Sequence, residues 1–93
     1  MNIEEFNKII SLAYRGRNRD IVEATGMLQC ESAELAEIFL KARWYQRPVH
    51  SKDVISEAGD ILNFLTFILQ SQGLTLEQAM ADNVAKLKER GWI

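Results

Sequence analysis

Apolar residues recur at spacings of three and four along nearly the whole chain, and no stretch alternates as a strand would. Phe6, Ile9, Ile10 and Ala13 share one face, which predicts a first helix from Ile3 to about Tyr14. The run Arg15-Gly16-Arg17-Asn18-Arg19 breaks it. Asp20 can accept from free amides of a following first turn, so a second helix is expected from Ile21 to about Tyr45. Gly26 lies inside it, at a cost of about 1 kcal/mol relative to Ala, and marks a place for a bend. Pro48 disfavours helix at the residue before it and makes residues 47–50 the clearest loop. Ser51 is the expected cap of a third helix running from Lys52 to about Gln72, with Gly73 as its left-handed stop. Thr75-Leu76-Glu77-Gln78 reads as a capping box that opens a fourth helix ending near Arg90, before Gly91. The expected fold is all-α, with four helices in one domain over residues 1–93.

The third helix is apolar over most of its circumference, from Ile55 through Phe64, Leu65, Phe67 and Ile68. A helix of that kind is covered on several sides. Ninety-three residues bury only about 60–65% of the unfolded surface, so cover from within the chain is scarce. A bundle completed by dimerisation, as a homodimer or a dimer of dimers, is the expected solution.

Composition narrows the function classes. Eleven basic side chains against 13 acidic ones give a net charge of −2, without the basic excess of a nucleic-acid binder. No apolar run reaches the length of a membrane span, and the acidic start Met1-Asn2-Ile3-Glu4-Glu5 does not resemble a signal peptide. The single cysteine, Cys30, excludes an intrachain disulfide and reads as a small core filler in a reducing, cytoplasmic setting.

Four carboxylates interrupt the apolar arcs. On a wheel of about 100° per residue, Glu31 and Glu34 of helix two fall among Ala24, Met27, Leu35 and Ile38. Glu57 and Asp60 of helix three fall among Phe64, Phe67 and Ile68. Each pair is spaced i, i+3 and shares a face. A short connection makes helices two and three antiparallel neighbours, so the pairs can meet. Carboxylates so gathered repel strongly unless they take up protons or a cation. An oxygen-only donor set selects a hard divalent ion such as Mg²⁺, with Mn²⁺ as a substitute. A di-iron carboxylate bundle needs Glu-x-x-His pairs, and the only histidine, His50, stands in the loop.

These motifs resemble a known family. Glu31-x-x-Glu34, then residues 35–56, then Glu57-x-x-Asp60, is similar to the ExxE…ExxD signature of MazG-like nucleotide pyrophosphohydrolases, members of the all-α nucleoside triphosphate pyrophosphatase superfamily. Three local runs carry the resemblance: residues 31–37, residues 57–65, and Asn83-x-x-Lys86-Leu87-x-x-Arg90. Ala33 stands where many relatives have Gly, and Asn63 where an aromatic residue is common. The resemblance implies Mg²⁺-dependent cleavage of (deoxy)nucleoside triphosphates between the α and β phosphates. A nucleoside monophosphate and pyrophosphate would be released, in nucleotide-pool housecleaning or dNTP control. It implies Glu31, Glu34, Glu57 and Asp60 as metal ligands and catalytic carboxylates, with Asn83, Lys86 and Arg90 at the phosphates.

Lys41 is a further phosphate-binding candidate, because a basic residue commonly follows the family's first motif at that distance. Trp44 is a candidate for stacking on a base, and Asn63 for hydrogen-bonding one. Arg15, Arg17 and Arg19 read as a solvated turn. Setting the four carboxylates aside from the 13 acidic residues leaves 9 against 11 basic ones, a mildly basic surround for a polyphosphate. The competing expectation is a non-catalytic helical dimerisation module whose carboxylates bind only metal or water.

Overall fold

The computed structural model describes residues 1–93 as four α-helices and no strand: α1 Ile3–Tyr14, α2 Ile21–Tyr45, α3 Ser51–Ser71 and α4 Leu76–Glu89. Local chemistry sets most of the boundaries. The side chain of Asn2 accepts from the Glu5 amide and that of Asp20 from the Glu23 amide, each closing a first turn. Thr75 and Gln78 form the reciprocal capping box of α4. At the end of α3 the Leu74 amide donates to the Leu69 carbonyl and that of Gly73 to Gln70. The Trp92 and Gly91 amides do the same to Leu87 and Lys88 after α4. Both are Schellman closures, with Gly73 and Gly91 at positive φ.

The start of α3 differs from expectation. The His50 carbonyl accepts from the amides of Asp53 and Val54, so His50 is the N-cap and Ser51 is already helical. The His50 side chain makes no capping bond, and the Asp53 carboxylate in the first turn supplies the favourable charge instead. α2 runs as one helix through Gly26. It ends at Gln46, which takes the left-handed conformation without a glycine's freedom, a strain of about 1 kcal/mol.

α2 and α3 form the main packed pair, antiparallel across the short connection, while α1 lies on α3 and touches α4. Polar side chains tie α1 down. Tyr14 Oη donates to Asn63 Oδ1, Gln70 Nε2 donates to the Asn7 carbonyl, and Asn7 Nδ2 donates to Glu77 Oε1. Thr66 is fully buried because its hydroxyl donates to the Leu62 carbonyl one turn back.

The arrangement is open. Only Ile10, Ala24, Phe64, Thr66 and Leu76 are buried, while Val22 is 76% and Ile55 71% exposed. The radius of gyration is 15.6 Å, against about 12 Å for a compact domain of this length. The chain exposes 7146 Å², about 1,600 Å² more than a compact monomer of its 10.7 kDa mass. Cys30 is exposed, so it is not the core filler expected of it. No helix is long and apolar enough to cross a membrane.

Candidate metal centre

The packed pair α2·α3 brings the two acidic motifs together. One carboxylate oxygen from each of Glu31, Glu57 and Asp60 lies within 4.8 Å of the other two. α2 contributes the first, and successive turns of α3 contribute the others. Glu31 Oε2 and Glu57 Oε2 are closed off from solvent and have no hydrogen-bond partner. A buried acceptor without a donor is unfavourable, and here two such acceptors belong to neighbouring carboxylates.

Proton uptake is one remedy. Glu31 has its pKa pushed up from 4.5 to about 7, chiefly by a hydrogen bond it can make to Glu57 only when protonated. Desolvation, a hydrogen bond to Glu34 and the charges of Glu34 and Asp60 push the same way. Glu57 accepts that bond, which pulls its pKa down. Desolvation and the same two neighbours outweigh the pull and leave it raised. The two groups titrate as a pair.

A cation is the other remedy. The donor set is oxygen only, and carboxylates a few ångströms apart match a hard divalent ion that dispenses with the shared proton. The residues present therefore fit such a group. Glu34, on the exposed side of α2, stands outside the closest three but lines a cleft beside Glu57 and contributes to both raised pKa values. Lys41 lines the same cleft, paired with Glu37 at 2.8 Å. Asp53 and Ser56 also line it and were not singled out from the sequence. Their wheel positions, within about 40° of Asp60, were the available signal.

The α4 residues are placed elsewhere. Asn83 lines an apolar groove of about 820 Å³ with Met1, Phe6, Leu62 and Leu65. Leu62 and Leu65 sit about 140–200° around α3 from Asp60, so this groove opens on the other side of the helix. Lys86 pairs with Asp82 at 2.9 Å within α4, and Arg90 is exposed at its end. Trp44 is 64% exposed near the end of α2. Asn63 lies one turn beyond Asp60, half-buried, with its amide oxygen engaged by Tyr14.

Arg19 departs from the solvated turn expected of it. Its guanidinium lies 5.8 Å over the Tyr14 ring and 5.4 Å over the Phe64 ring. The signal for this was its place just before the Asp20 cap, in the short connection between α1 and α2. No family model, no curated protein and no solved structure matches the chain.

Proposed function

We propose that the protein is a Mg²⁺-dependent nucleoside triphosphate pyrophosphohydrolase of the MazG-like kind. The observation that carries the reading is the meeting of Glu31, Glu57 and Asp60, with two sequestered oxygens that lack donors. A fold gains no stability from repelling carboxylates, so the cluster is retained for a ligand that satisfies it.

Glu31, Glu57 and Asp60 would hold the cation, with Glu34 as the fourth carboxylate from the adjoining cleft. A divalent ion bound there supplies charge neutralisation for the phosphates and Lewis-acid polarisation. Water attacks the α-phosphorus, the bond from that phosphorus to the αβ-bridging oxygen breaks, and pyrophosphate leaves with that oxygen. A carboxylate of the set within hydrogen-bond reach accepts the proton lost by the water. Lys41 borders the cleft on the α2 side and offers positive charge to a phosphate of the substrate.

The active form on this reading is a homodimer or a dimer of dimers. The surplus of about 1,600 Å² per chain corresponds to about 3,200 Å² over two, within the range of obligate interfaces. Asn83 and Lys86, across α3 from the cluster of their own chain, would meet the phosphates on another copy. In light scattering the mass should be two or four times the 10.7 kDa of one chain. A stable monomer at micromolar concentration would remove this part of the reading.

The test is pyrophosphate release from the common NTPs and dNTPs, with and without Mg²⁺. Metal-dependent release from at least one nucleotide is expected. No release from any would leave the helical dimerisation module as the better account.

A further inference from the structure

A second polar site lies on the other flank of the carboxylates. The end of α1, the connection to α2 and one turn of α3 enclose a cleft of about 320 Å³ lined by Ala13, Tyr14, Arg17, Arg19 and Asn63. Its hydrogen-bonding groups are held in a definite sense. Tyr14 Oη donates to Asn63 Oδ1, which leaves the Asn63 amide nitrogen as a free donor. Arg17 Nε donates to the Ala13 carbonyl at 2.8 Å, which fixes the base of its fork. Arg19 lies over Tyr14 and Phe64, with its Nε 3.8 Å from Glu23 Oε1. Tyr14 is itself braced by the Phe67 ring, 4.4 Å away between centroids. Both arginines keep their terminal nitrogens for a ligand.

A cleft with two permanent cations and an oriented amide donor selects an anion. Planar guanidinium forks suit the oxygens of a phosphoryl group, and anchoring them beforehand lowers the entropy lost on binding. Asn63 follows Asp60 by one helical turn, so their Cβ atoms stand about 5–6 Å apart. A molecule with two or more linked phosphates can span from the carboxylates to this cleft.

We propose that Tyr14, Arg17, Arg19 and Asn63 form an anion pocket for the polyphosphate end of the substrate. The identity of that substrate rests on the pyrophosphohydrolase reading; the preference for a phosphoryl anion rests on the donors alone. Asn63 then serves the phosphates rather than the base.

The probe is inorganic pyrophosphate, titrated calorimetrically into the full chain in EDTA. Arg17→Ala removes an exposed guanidinium, and Asn63→Asp puts a carboxylate of nearly the same shape into the cleft. Each should weaken binding about tenfold or more, as loss of a charge-assisted contact does. Lys8→Ala on the outer face of α1 should leave it unchanged, and circular dichroism checks folding. No pyrophosphate binding by the native protein, or equal binding by all variants, overturns the pocket. If the variants lose pyrophosphate but no nucleotide is ever hydrolysed, the pocket stands and the pyrophosphohydrolase reading falls. If nucleotides are hydrolysed with the same KM by Arg17→Ala and Asn63→Asp, the reverse holds.

Discussion

On the proposed metal-centre reading, a proton and a divalent cation compete at Glu31, and metal binding should be steeply pH-dependent. Glu31 has its pKa pushed up to about 7, first by the proton it would share with Glu57. With that value the group is about one-tenth protonated at pH 8 and about nine-tenths at pH 6. Only the ionised form is a ligand, so the apparent Kd for Mg²⁺ or Mn²⁺ should rise about tenfold over that interval. The metal-free protein should show the opposite preference. A raised carboxylate pKa means that the folded chain holds its proton more tightly than the unfolded one. The stability from that proton is present in full below the unfolded value of 4.5 and is lost as pH rises through about 7. Thermal melts in EDTA should therefore fall in Tm from pH 5 to pH 8, and Mg²⁺ should restore the most at pH 8. Glu31→Gln should flatten the EDTA profile, raise Tm at pH 8 and abolish the pH-dependent metal affinity. A Tm in EDTA that stays level or rises between pH 5 and pH 8, or a Kd for metal that is the same at pH 6 and pH 8, would refute the reasoning.

Further outcomes follow from the same structure. On the pyrophosphohydrolase reading, Glu31→Gln and Asp60→Asn should each lower pyrophosphate release more than about a hundredfold while helical circular dichroism is retained, since a lost metal ligand costs more than a lost supporting contact. Unchanged kinetics in either would end the metal assignment. Thr75→Ala removes the capping box of α4 and should cost about 1 kcal/mol in urea unfolding, and a loss below about 0.3 kcal/mol would show that α4 does not depend on its cap. Phe64→Ala empties one of the few buried positions and removes a ring under Arg19, and should cost about 3–5 kcal/mol. A smaller change, below about 1 kcal/mol, would mean that the site collapses without penalty.

Much of the fold was legible because it is written in local interactions. Asp20, Thr75, Gly73 and Gly91 act within a few residues of themselves, through caps and left-handed turns whose chemistry each carries in its own side chain or lacks in its Cβ. His50 took the place expected of Ser51 because an N-cap is defined by which carbonyl accepts the first helical bonds, and a capping side chain is only one contribution to that choice.

The acidic motifs were legible for a related reason. Periodicity placed each pair inside an apolar arc, and a short connection made α2 and α3 neighbours. The sequence by itself thus determined four helices, most of their ends, and the two carboxylate pairs on neighbouring helices. Tertiary structure decided the rest. It selected Glu31, Glu57 and Asp60 as the closest three and left Glu34 in the adjoining cleft, because that depends on the rotation of two helices about their axes. It set Asn83 across α3 from them and turned Cys30 outward. It also stacked Arg19 on two rings from different helices, a contact no spacing along one helix contains. Helical period fixes which residues share a face, whereas the choice of partner for each face depends on long-range packing, and in this open chain much of that packing surface is still exposed.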